Sequence, residues 1–144
     1  MKYFSFQEFE RSETAYRHGI DNTAPESARK NIAVLVDKVL DPLREAWGKP
    51  ISVTSGYRCS ELNAKVPGAS RTSQHMTGEA ADISVGNQVD NRRLAQKILD
   101  LKLPFDQIIN EHDWQWVHVS YRDGHNRHEM LKTVPGGYVK ISAL

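Results

Sequence analysis

Residues 73–84 read "SQHMTGEAADIS". His75 and Asp82 stand on either side of Gly78, and two alanines directly precede the aspartate. The glycine divides the stretch: what precedes it has loop composition, and "EAADISV" after it reads as a strand. Alternate side chains of a strand share a face, so Ala80 and Asp82 point one way and Ala81 and Ile83 the other. A carboxylate in an apolar strand is costly to bury unless it is paired or bound to a cation. The stretch is therefore either a turn entering a strand or half of a metal site.

The neighbouring segments build an α+β fold around that strand. "TAPESARKNIAVLVDKVLDPLREAWG" carries an apolar stripe at helical spacing, from Ala28 through Ile32, Leu35, Val36, Val39, Leu40 and Leu43 to Trp47. Thr23 and Glu26 have capping-box spacing, Pro42 should kink or interrupt the helix, and Gly48 should end it. "SFQEFERSETAYRHG" before it reads as one or two short helical pieces. Ile51–Ser55 is a β-branched strand turned by Gly56, and "SELNAKV" is one or two helical turns. "NRRLAQKILDLK" is an amphipathic helix with Leu94, Ile98 and Leu101 facing inward. "FDQIINE" and "WQWVHVSY" read as two strands, and the tail "EMLKTVPGGYVKIS" as a hairpin or edge strand. The expected architecture is α+β, with N-terminal helices packed on a small, mostly antiparallel sheet.

Composition narrows the partners. The chain has 144 residues, 39% hydrophobic and 26% charged, which suits one domain over residues 1–144. Its net charge of +1 and the lack of a basic cluster with interleaved aromatics make nucleic acid an unexpected partner. Cys59 is the only cysteine, so no intrachain disulfide is available. No apolar run approaches a membrane span, so no membrane insertion is expected. "MKYFSFQEFERSE" alternates aromatic and charged residues and lacks the apolar core of a signal peptide, which predicts synthesis in the cytoplasm without one. A monomer is expected.

"WVHVSY" repeats the puzzle of Asp82, because His118 interrupts an aromatic and β-branched strand. Alternation puts Trp116, His118 and Ser120 on one face and Val117, Val119 and Tyr121 on the other. Two imidazoles and one carboxylate, from His75, His118 and Asp82, make the composition of a zinc site with a fourth position left open. A lone strand histidine is more often a satisfied core residue, and an Asp after a Gly is more often turn chemistry. The residues by themselves leave the two readings level.

"SGYRC", "LNAKVPGASRTSQHMTGEAADIS" and "WVHVSY", in that order, resemble the zinc D-alanyl-D-alanine peptidases. That family includes D-Ala-D-Ala carboxypeptidases, vancomycin-resistance dipeptidases and phage endolysin peptidases, and it shares its metal-site fold with the Hedgehog signalling domain. The resemblance runs from about Ile51 to Tyr121. It implies one zinc ion per chain, held by His75, Asp82 and His118. It also implies Arg58 as the cleft arginine and Ser73 as a substrate contact. Many members carry an acid three residues before the last histidine, where this chain has Gln115, which cannot take a proton at neutral pH. Other members take a glutamate from the end of the preceding strand, and here that is Glu111. Some have a second histidine where this chain has Trp116.

The resemblance therefore implies a zinc metallopeptidase acting on peptidoglycan stem peptides, as a carboxypeptidase or an endopeptidase. By analogy it is a phage or prophage enzyme that reaches the cell wall through a membrane hole made by another protein. The alternative is a zinc-bound module that binds peptidoglycan or a partner without turnover, which Gln115 and Trp116 support. Cys59, which ends the stretch "SGYRC", reads as a small buried hydrophobe. His18, His125 and His128 read as surface residues, and His112 and Asp113 as solvated loop residues. Arg71 reads as a loop ion pair, Glu79 as structural, and Trp114 and Trp116 as either core or cleft wall.

Overall fold

The computed structural model describes residues 1–144. Its six strands form one sheet in the order β1-β2-β4-β3-β5-β6. They are β1 (Ser52–Ser55), β2 (Ala80–Ser84), β3 (Gln107–Glu111), β4 (Trp116–Ser120), β5 (Glu129–Val134) and β6 (Gly137–Lys140). All neighbours are antiparallel except β3 and β5. The expected α+β class holds, and the tail supplies a full hairpin.

The N-terminal segment forms two short helices, α1 (Phe6–Glu10) and α2 (Glu13–Arg17). The hydroxyls of Ser5 and Ser12 accept backbone N–H bonds in their first turns, as N-caps do. The long apolar stripe forms α3 (Glu26–Leu35), a π-helical turn (Val36–Leu40) and α4 (Asp41–Trp47). Pro42 accounts for the middle piece. It has no N–H for the Lys38 carbonyl, and its ring would clash there, so the turn before it widens and the Asp41 N–H reaches Val36 instead. The Thr23–Glu26 capping box does not form. Asp21 takes both the Thr23 N–H (3.0 Å) and its hydroxyl (2.7 Å) in a local turn, and α3 begins after Pro25 without a side-chain cap.

Helix α6 (Gln88–Asp100) buries Leu94, Ala95 and Ile98. Leu101 was expected on the same face but is 38% exposed. The helix stops at Asp100, the chain turns left-handed at Lys102 (φ 55°), and Leu103 packs against the core in its place.

One face of the sheet contributes Val53, Ala81, Ile83, Ile108, Val117 and Val119 to the main hydrophobic cluster. The helices meet it with Phe9, Ile32, Leu35, Leu40, Leu43, Leu94 and Ile98. A fully buried leucine or isoleucine of this kind is worth about 1.5–3 kcal/mol, so this face anchors the fold. The opposite face is free for polar groups, and it carries the cleft.

Candidate metal centre and cleft

His75 lies in a 3₁₀ turn (Gln74–Thr77) that Ser73 opens, its hydroxyl accepting the His75 N–H at 3.2 Å. Gly78 closes that turn with φ +78°, and a Cβ there would stand 2.4 Å from the Ala28 carbonyl oxygen of α3. The position thus needs glycine both for its backbone angle and for contact with the helix. Gly56 is equally crowded, since a Cβ would meet the Phe9 Cα at 2.6 Å. This close approach leaves the Gly56 carbonyl 2.7 Å from His75 Nδ1. A carbonyl only accepts, so Nδ1 carries the proton and Nε2 offers its lone pair, the usual outer support of a metal-binding histidine.

That Nε2 is 3.3 Å from Asp82 Oδ1. His118 sits directly across from Asp82 in the β2–β4 register, with Nδ1 3.1 Å from the same oxygen. The two imidazole rings meet edge to face, 5.1 Å between centroids. One donor atom from each of the three residues lies within 4.8 Å of the others. Burial by itself would raise the Asp82 pKa, but its contacts with His75 and His118 outweigh it and hold the carboxyl well below the usual range. An ionised carboxylate and two imidazole nitrogens are donors that suit zinc.

Above these donors lies a cleft of about 610 Å³, walled on one side by the loop before Ser73 and on the other by β3, β4 and the last hairpin. Arg58 enters from the segment after β1. Its Nη2 donates to Ser73 Oγ at 3.1 Å, and its backbone N–H donates to the His75 carbonyl at 3.1 Å. Its Nε is buried without a partner. Burial lowers the Arg58 pKa, against the charges of Asp82, Tyr138 and Glu111, but a guanidinium stays cationic. Asn22, buried, bonds the Tyr57 carbonyl (2.9 Å) and the Cys59 N–H (2.8 Å), which pins the backbone that presents Arg58.

Glu111 closes β3 and pairs with Trp116 across β4. It is 6% exposed and lines the cleft. Burial raises its pKa, Asp82 adds to the rise, and His118 and a hydrogen bond from Tyr138 oppose it. Gln115 is exposed and does not line the cleft. The β3–β4 turn explains the difference, because His112, Asp113 and Trp114 all have positive φ (49°, 57° and 64°). Asp113 is thrown into solvent and Trp114 into the core. Trp116 becomes a cleft wall, and the exposed His112 tilts against it with centroids 5.2 Å apart. Asn91 of α6 holds this turn by donating to the Trp114 and Gln115 carbonyls at 2.9 and 3.1 Å.

Asp106 precedes β3 and is fully buried. It accepts bonds from Gln74 Nε2 (2.8 Å), from Arg127 Nε (2.9 Å) and Nη2 (2.8 Å), and from the Arg127 N–H (2.9 Å). It thereby ties the His75 turn to the β4–β5 loop. Burial pushes its carboxyl up, but the Arg127 and Gln74 bonds prevail and hold it at about 2. The unfolded value is about 3.9, so this contribution is complete above about pH 5 and drains away as pH falls toward 2. Asp106→Ala should therefore destabilise the metal-free protein by about 1 kcal/mol more at pH 7 than at pH 3. Urea titrations of both proteins in chelator check this, and an equal cost at both pH values would contradict it.

His18, His125 and His128 are exposed and outside the cleft. Arg71 is exposed and lacks an ion-pair partner, contrary to expectation, while Glu79 pairs with Arg122 (3.4 Å). Cys59 is half-buried, and its Sγ caps α5 (Ser60–Lys65) by accepting the Leu62 N–H. Asn22, Asn91, Asp106 and Tyr138 carried no signal in the sequence, because each acts on partners distant along the chain.

The model of the family described as "Peptidase M15" matches residues 2–120. The chain belongs to the peptidase M15 family. The match includes His75, Asp82, His118, Arg58 and Glu111 and ends before the β5–β6 hairpin. The chain is also similar to the zinc D-Ala-D-Ala carboxypeptidase of Streptomyces albus G, at 40% identity over 86 residues. That segment is 59% of this chain but 32% of the relative, so the chain spans about a third of that protein's length.

Proposed function

We propose that this M15 peptidase is a zinc enzyme, with one ion per chain, that hydrolyses a peptide bond in peptidoglycan stem peptides. The observation that carries the reading is the meeting of His75, Asp82 and His118 beneath a cleft that also holds Arg58 and Glu111. His75, Asp82 and His118 would hold the zinc, which would supply Lewis-acid activation of the water and of the scissile carbonyl. Glu111 would accept a proton from the attacking water and pass it to the leaving amine, a task for which a buried carboxyl of raised pKa is suited. Arg58 meets the oxyanion or a terminal carboxylate, and Ser73 steadies Arg58 and contacts the substrate. Gln115 is exposed outside the cleft and Glu111 lines it, which supports turnover over a zinc module without it.

Mass spectrometry of peptidoglycan digested with the zinc-loaded protein tests the reading. Released D-alanine marks a carboxypeptidase. New termini inside the stem mark an endopeptidase, in accord with a phage or prophage lysis enzyme released through a membrane hole made by another protein. No new termini, with zinc or with chelator, would refute the peptidase.

Arg58→Lys keeps the charge and loses the two-pronged donor. Its turnover should fall about 10-fold or more while the melting temperature stays near wild type. A large stability loss with full activity per folded molecule would give Arg58 a structural role.

A further inference from the structure

We propose that Tyr138, on β6, is a positioning residue for Glu111: its hydroxyl holds one carboxylate oxygen and so leaves the other aimed into the cleft. The inference rests on the peptidase reading and extends it to the hairpin beyond residue 120, where the family match ends.

The sheet brings the two residues together. β5 pairs in parallel with β3, Asn110 against Lys132, so the next step sets Thr133 beside Glu111. Tyr138 is the partner of Thr133 in the β5–β6 hairpin. Trp116, Glu111, Thr133 and Tyr138 thus form one row across four strands. Thr133 Oγ1 accepts the His112 N–H at 2.8 Å, which ties the turn after Glu111 to the hairpin.

Tyr138 Oη lies 3.3 Å from Glu111 Oε1, and this is the only hydrogen bond to the Glu111 side chain. A carboxylate only accepts, so the phenol donates. The bond is long for O–H···O, and bonds at catalytic groups often tighten once substrate is bound. Glutamate has three side-chain torsions, and a base must be held to within a fraction of an ångström to work. The tyrosine itself is 52% exposed, so its ring adds little to the core, yet its hydroxyl end lines the cleft. Fold stability does not explain an exposed ring on an edge strand whose one side-chain hydrogen bond goes to the cleft's acid.

Tyr138→Phe removes the hydroxyl and keeps the ring. On the zinc-loaded full chain, kcat should fall about 10-fold to 100-fold, the range for outer partners of a catalytic group, with KM and melting temperature near wild type. Combined with Glu111→Gln it should cost nothing more than Glu111→Gln alone, because both changes act through one carboxylate. A readout without turnover is the visible spectrum of the cobalt(II)-substituted protein. Tyr138→Phe should shift it in the same sense as Glu111→Gln, with no further shift in the double variant. A wild-type kcat and cobalt spectrum in Tyr138→Phe would overturn the proposal. So would a raised KM with unchanged kcat, or additive losses in the double variant, since Tyr138 would then meet the substrate directly. If wild-type protein cleaves no stem peptide, the peptidase reading fails separately and the cobalt spectra decide: an unshifted Tyr138→Phe spectrum rejects the Tyr138–Glu111 link, and a shifted one upholds it.

Discussion

His118→Ala should remove zinc from the protein and abolish turnover. His118 supplies one of three donor atoms that lie within 4.8 Å of one another. Without it His75 and Asp82 remain, and two protein ligands fall short of the three that a catalytic zinc site uses. The loss also takes a partner from Asp82, whose Oδ1 is 3.1 Å from His118 Nδ1 and 3.3 Å from His75 Nε2. Metal analysis after dialysis against a mild chelator should find about one zinc in wild type and almost none in the variant. Zinc should also raise the melting temperature of wild type alone, because a ligand at 100 times its Kd stabilises the native state by about 2.7 kcal/mol. Full zinc occupancy in His118→Ala would exclude that residue as a ligand. An unchanged wild-type melting temperature on chelation would argue against a preformed site.

Why the polar intrusions at Asp82 and His118 were legible in the sequence, and other contacts were not, is a matter of range. Asp82 and His118 interrupt apolar strands, and the period of two assigns each a face from its neighbours alone; the register then sets them opposite each other. Gly78 announced its turn because the αL backbone angle is a local property. Asn22, Asn91 and Asp106 are ordinary polar residues by any local measure. Their burial follows from partners distant along the chain, such as Tyr57 for Asn22 (separation 35) and Gln74 for Asp106 (separation 32). Thr23 misled because a capping-box pattern ignores a competing acid two residues upstream, and Leu101 because periodicity does not say where a helix stops. Tyr138 reaches Glu111 only through the parallel pairing of β5 with β3, which no local pattern encodes.

Glu111→Gln should keep the fold and the zinc but lower turnover by about 10²–10⁴, the usual worth of a positioned general base. Three carboxylates stand in this segment, Asp106, Glu111 and Asp113. Asp106 is fully buried and committed to Arg127 and Gln74, so it has no free oxygen to offer a substrate. Asp113 is exposed at the tip of a left-handed turn and does not line the cleft. Glu111 is buried at the end of a strand paired on both sides, and it lines the cleft together with His118 and Arg58. Glutamine matches its size and can accept the Tyr138 hydroxyl, but it cannot take a proton. Asp113→Asn should cost less than about 3-fold, since a solvated side chain outside the cleft has no proton to transfer. Single-turnover rates of the zinc-loaded variants, with metal content measured on the same samples, separate the cases. A dead Asp113→Asn beside a normal Glu111→Gln would move the base into the turn. If both variants work normally while chelation still stops the reaction, the base lies outside residues 106–113.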